Sequence, residues 1–232
     1  MTCAPAEALD DVDVPEAIRS GRHNPPFAAY PPFPWSYSTF YHQITSGISA
    51  VSKWWLDGAI GKVGARVIYQ NDSPGDSDWC YQETPSFVGF WVPAQGAKKN
   101  WRFWVSLACG AARGLFRWED EFGSSFTHNE MWSDILIYVT PGGPPMGGNL
   151  STSFRLWEQV WQGDDDWNFL YEAHPHGWQG TFMHTSPWQV PNQGAFVTIG
   201  TIDHTTYTLD DVELDNVMSN RWQILKVAIE LV

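Results

Sequence analysis

The most regular alternation of apolar and polar positions lies in the second half of the chain. Two runs, Phe154–Trp161 and Trp167–Ala173, flank the stretch Gly163-Asp-Asp-Asp166. Period-two alternation around such turn residues predicts two strands joined as a β-hairpin. With the turn centred on Asp164, Trp161 faces Trp167, Gln159 faces Phe169 and Trp157 faces Tyr171. Successive side chains on a strand point to opposite faces, so these six share one nearly all-aromatic face. The other face carries Phe154, Leu156, Glu158, Val160, Leu170 and Glu172.

Similar patterns predict strands elsewhere. Ser38–Thr45 alternates roughly, and Val63–Gln70 and Pro85–Val92 read as strands. Lys99–Cys109 places Trp101, Phe103, Val105, Leu107 and Cys109 on one face, with Gly114–Trp118 continuing the sheet after a turn at Gly110. Ser133–Thr140 is a buried-type strand and Thr181–His184 a short one. Gly194–Asp203 and Thr206–Leu214 read as antiparallel partners about a turn at Asp203-His204. In the closing strand Arg221–Val232, Leu225, Val227, Ile229 and Leu231 point one way, and Trp222, Ile224, Lys226, Ala228 and Glu230 the other. Turn residues mark loops at Asn71–Asp78, Glu119–Asn129 and Pro141–Gly148. About ten to twelve short strands with hardly any helix predict an antiparallel β-sandwich or jelly roll, the alternative being a closed antiparallel β-barrel with an internal cavity.

The first 34 residues differ from the rest. Asp13 caps a short helix start that ends near Gly21, and prolines from Pro25 to Pro34 then impose an extended path. This predicts a Pro-rich acidic arm over residues 1–34 and a single antiparallel β domain over 35–232. The arm also offers a route to a homo-oligomer by exchange between subunits.

Composition sharpens the picture. Aromatic residues make up 16% of the chain, with 15 Trp. An indole buries much apolar area but its N–H needs a partner. The rings therefore belong at core edges, in cavity walls or on a binding surface. The net charge is −13. Nucleic acids and anionic membranes both demand clustered Lys or Arg, and no basic run exceeds Lys98-Lys99, so neither is an expected partner. No apolar run reaches ~18 residues, which predicts no transmembrane helix. The acidic start lacks a hydrophobic leader core, which predicts a cytoplasmic protein; a secreted protein whose signal peptide is already removed would read the same. Cys3, Cys80 and Cys109 lack metal-type spacing, leaving free thiols or a Cys80–Cys109 disulfide.

Four constellations carry candidate chemistry. The aromatic face of the hairpin suits stacking on a sugar or enclosing a lipophilic ligand, with Gln159, Gln162, Asp166 and Asn168 placed to orient hydroxyls and Trp178 nearby. A small-molecule ligand, carbohydrate first, would then contact Trp157, Gln159, Trp161, Trp167, Phe169, Tyr171 and Trp178. The competing reading is that this face is core. His174, His176 and His184 are candidate ligands for a transition metal, with Glu172 as a fourth; otherwise they are loop histidines. Glu158 and Glu172 form a candidate carboxylate pair for glycoside cleavage, with His174 and His176 as acid–base groups; Glu119, Asp120, Glu121 and Glu130 are rivals. An enzyme on this scaffold is the alternative function, either cleaving glycosides or cyclising or isomerising an apolar substrate. Finally, Asp211, Glu213 and Asp215 alternate onto one face and either hold Ca²⁺ or form a solvated edge. No cofactor is otherwise expected. No Gly-x-Ser-x-Gly, Walker, dinucleotide or His-Glu-x-x-His motif occurs, which argues against nucleotide and serine-hydrolase chemistry.

Overall fold

The computed structural model describes residues 27–44, 48–71, 78–94, 99–120, 127–145, 150–163, 167–209 and 212–232. Its elements are all strands: β1 (Phe27–Ala29), β2 (Trp35–Ser38), β3 (Tyr41–Ile44), β4 (Ile48–Trp54), β5 (Lys62–Asn71), β6 (Asp78–Val92), β7 (Lys99–Asp120), β8 (Thr127–Pro141), β9 (Leu150–Gly163), β10 (Trp167–His174), β11 (Gln179–Val190), β12 (Ala195–Leu209) and β13 (Val212–Leu231). They form two antiparallel sheets. The seven-stranded sheet runs β10-β7-β13-β5-β4, with β11 also on β7 and β1 also on β13. The six-stranded sheet runs β2-β6-β12-β8-β9, with β3 also on β6. Among the described residues no ladder joins the two sheets. The fold is therefore a β-sandwich and not a closed barrel.

The core lies between the sheets. Val63, Val67, Phe103, Val105, Leu107, Trp222 and Ile224 come from the larger sheet, and Val88, Phe90, Ile135, Ile137, Val197 and Ile199 from the smaller. Each such side chain, once buried, contributes roughly 1.5–3 kcal/mol. Rings also bridge the layers. Tyr69 meets Tyr207 edge-to-face at 4.9 Å, and Phe27 stacks on Phe90 at 5.8 Å. Phe27–Ala29, expected in the arm, is thus a strand of the larger sheet beside β13. Residues 1–26, including the expected helix start and Cys3, lie outside the described residues.

Several boundaries differ from the sequence reading, each for a tertiary reason. The hairpin Phe154–Ala173 does not form. β9 pairs with β8 in the smaller sheet and β10 with β7 in the larger, so the chain crosses from one layer to the other. The expected turn at Gly110 is instead a register shift within β7, where Cys109 pairs with Trp222 and Ala111 with Arg221. Glycine in a strand interior marks such bulges as readily as it marks turns. Asp203-His204 is not a turn but the middle of β12, with β6 on one side and β8 on the other. Pro85 does not begin its strand. Its carbonyl accepts from the Thr39 amide, so its donor-less nitrogen faces the break between β2 and β3. In β13 a register shift between Ile224 and Lys226 lets Trp222 and Ile224 share the core with Val227 and Ile229. Cys80 and Cys109 are separate buried thiols, and burial pushes each up to about 12.

The middle of the core is polar. The Asn220 amide donates to Ser133 Oγ at 2.7 Å and to Asp203 Oδ1 at 2.5 Å. Its Oδ1 accepts from the indoles of Trp157 at 3.1 Å and Trp222 at 2.6 Å. Ser133 Oγ also donates to Asp203 Oδ1 at 2.8 Å. All four hydrogen-bonding positions of the Asn220 side chain are used. The network ties β8, β9, β12 and β13 across the layers. Among the described residues Asp203 Oδ2 has no hydrogen-bond partner. Burial raises the Asp203 carboxyl to about 7, against hydrogen bonds from Ser133, Asn220 and the Ala65 amide that favour the charged form.

Candidate functional site

The aromatic side chains expected on the hairpin do meet, but across the sandwich instead of side by side. Trp161 stacks on Phe169 at 5.3 Å, and Trp157 lies 6.0 Å from Tyr171. Trp157 is 4% exposed and its N–H is spent on Asn220, so this ring is core. Trp161, Phe169 and Tyr171 are half-buried at the edge where β9 faces β10. Gln159 is half-buried and donates to the Val160 carbonyl. Trp167 pairs with Trp118 in the β10–β7 ladder. Trp178 stacks on His174 at 4.3 Å and stands edge-on to Trp222 at 6.1 Å.

The other expected constellations separate. His184 bonds Thr152 across the layers, His174 packs on Trp178, and His176 is exposed in the β10–β11 connection. Among the described residues no three His, Cys, Asp or Glu side chains are grouped to hold a metal. Glu158 pairs outward beside Trp132 on the smaller sheet, while Glu172 is exposed on the larger, so the sandwich stands between the two carboxylates. Glu213 pairs with Glu119 and Asp215 with Gln70 along β13; Asp211, Asp166 and Glu121 lie outside the described residues.

What the structure does assemble is the outer face of the smaller sheet. Antiparallel register lines up Tyr41, Glu83, His204, Trp132 and Glu158 across β3, β6, β12, β8 and β9. The next row holds Gln43, Tyr81, Thr206, Glu130 and Val160. On the opposite side of the first row stand Pro85, Ile202, Asp134 and Arg155. Directly opposed side chains lie within contact distance, so each row is a patch of continuous surface.

The chemistry of this face is specific. Trp132 stacks flat on His204 at 4.7 Å and 8°, and the Arg155 guanidinium lies 5.5 Å from the Trp132 ring centre. Arg155 pairs with Asp134 at 2.5 Å and with Glu158 at 2.7 Å. The Tyr81 hydroxyl donates to Glu83 Oε1. Burial, reinforced by that bond and by the Glu83 charge, pushes the Tyr81 phenol up to about 12. His204 Nδ1 approaches the same Oε1 at 3.5 Å without completing a hydrogen bond. Burial lowers the His204 pKa despite the Glu83 and Asp134 charges, so the ring is neutral near pH 7.

Along the same face runs a line of rings. Trp79, Tyr81, Phe87 and Trp91 share one face of β6, with Phe87 covered by its neighbours, flanked by Tyr41, Tyr37 and Trp35 on β3 and β2 and by Phe196 on β12. Tyr37, Tyr41, Trp79 and Trp91 are 41–48% exposed. Trp79 and Trp91 sit twelve residues apart, about 40 Å at the rise of a strand. Gly89 makes room for this line, since a Cβ there would lie 2.4 Å from the Phe196 ring and 3.0 Å from Trp35. Pro85 reads in the sequence as a strand start, which splits this face into two parts. The signal was present as the period-two series Trp79, Tyr81, Glu83, Phe87, Trp91.

No protein-family model matches the chain, and no curated protein matches it. Among solved structures, one similar chain is TmCBM61, solved in complex with beta-1,4-galactotriose, at 11% identity, TM-score 0.18, covering 75% of this chain and 86% of that one. Another is the enzymatically active domain of bacteriophage CBA120 tailspike protein 4, at 6% identity and TM-score 0.21, covering 84% of this chain and 19% of that one. Likenesses this distant carry no argument about activity.

Proposed function

We propose that the chain binds an extended oligosaccharide along the outer face of its six-stranded sheet. One observation supports this above all: four rings, Tyr37, Tyr41, Trp79 and Trp91, stand 41–48% exposed on one sheet face, on β6 and the two strands beside it. Exposed large rings cost hydration free energy unless a ligand covers them, and flat sugar faces stack on them. Gln43, Thr206 and Glu130 in the adjoining row supply hydrogen bonds to hydroxyls. The half-buried rings at the β9–β10 edge support the fold in this reading and not the ligand. The test is titration with a glycan panel followed by Trp fluorescence, using the wild type, Trp91→Ala and Tyr41→Ala. Binding that both substitutions weaken is expected; a flat response to every glycan removes the proposal.

A glycoside-cleaving version draws on one feature, the neutral imidazole of His204 beside Glu83 within the same line of rings. Release of reducing ends by the wild type and not by Glu83→Gln favours it.

A further inference from the structure

Glu83 lies within the aromatic face, and its surroundings are unlike those of Asp134 and Glu158. Asp134 and Glu158 both pair with Arg155. Glu83 has no Lys or Arg partner among the described residues; its contacts are the Tyr81 hydroxyl and the His204 ring, both on Oε1. Oε2 makes no hydrogen bond among the described residues. Rings surround it. Tyr41 opposes it on β3, His204 opposes it on β12, and Tyr81 stands edge-on to Tyr41 at 6.3 Å. The Glu83 side chain is 32% exposed, so its charge is partly shielded from water yet reachable.

A carboxylate with one free oxygen beside aromatic rings is an arrangement that recognises a cation, through an ion pair and the negative ring faces together. It disfavours a carboxylated or sulfated ligand by repulsion. We infer that Glu83, Tyr41 and Tyr81 form a subsite for a protonated amine, so that the ligand of this face is an amino sugar with free amino groups. This rests on the carbohydrate reading above and narrows it. Glu130, one row away, carries the same charge, and its ion-pair partner among the described residues is His128, at 3.8 Å. It extends the preference to a neighbouring sugar.

The test is calorimetric titration of the full chain at about pH 6, where carboxylates are ionised and amines protonated. The probes are a glucosamine oligosaccharide, its fully N-acetylated counterpart and an oligouronate of equal length. The free-amine form is expected to bind about tenfold tighter than the acetylated form, with the advantage shrinking in high salt. Glu83→Gln should abolish the advantage by weakening the free-amine form more than the acetylated form. Tyr41→Ala, at an exposed position, should cost the free-amine form about threefold. Equal binding of the amine and acetylated forms overturns the subsite and leaves the carbohydrate reading standing, and so does tighter uronate binding. Absence of binding to all three, and to the wider glycan panel, overturns both. Retention of the preference by Glu83→Gln overturns the role of that residue.

Discussion

Replacing Asp203 by Asn tests whether the polar centre of the core carries a titrating proton. The wild-type carboxyl titrates at about 7 in the folded chain against an ordinary value of 3.8. Below pH ~4 it is protonated in both states, and folding then costs nothing for its charge. Between pH ~4 and ~7 the unfolded chain releases the proton while the folded chain keeps it, so stability falls as pH rises. Roughly three pH units at about 1.4 kcal/mol each give a loss of about 4 kcal/mol, complete above pH ~7. Asn keeps the acceptor that Ser133 and Asn220 use at Oδ1 and removes the ionisation. Urea unfolding at a series of pH values, read by Trp fluorescence, yields the stability difference between wild type and Asp203→Asn. Other titrating groups cancel in that difference. The variant should gain on the wild type by about 1.4 kcal/mol per pH unit between pH ~4 and ~7, and the gain should level off above. Curves that stay parallel across that window refute the raised carboxyl.

Four further outcomes follow from the same geometry. Asn220→Leu leaves two indole N–H groups without an acceptor inside the core, removes one donor each from Ser133 Oγ and Asp203 Oδ1, and should cost about 3–5 kcal/mol in urea unfolding. Gly200→Ala places a Cβ 1.9 Å from the Ser86 carbonyl oxygen, a backbone atom that cannot step aside, and should abolish folding at 37 °C as read by circular dichroism and soluble yield. Trp91→Ala, at a ring 48% exposed, should leave stability within about 1 kcal/mol while weakening glycan binding. Cys80 and Cys109, buried and pushed up to about 12, should resist a thiol reagent at pH 8 until the chain is unfolded.

Alternation along single strands was legible in the sequence because it reports which face of one strand is buried, a local property. The all-β character and the shared face of Phe103, Val105 and Leu107 were readable on that basis, whereas Trp157 and Tyr171 meet across the layers and not within the expected hairpin. Pairing partners were not, because a turn motif such as Gly163–Asp166 serves a hairpin within one sheet and a crossing between two equally well. The Asp203-His204 pair reads as a turn from propensity alone. The ladders to β6 and β8, with Ser133 and Asn220 brought from 70 and 17 residues away, hold Asp203 inside a continuous strand. The row Tyr41, Glu83, His204, Trp132, Glu158 draws one residue from each of five strands. Its members alternate correctly in the sequence, but their meeting is fixed by register between strands, which depends on side-chain packing across the whole sandwich.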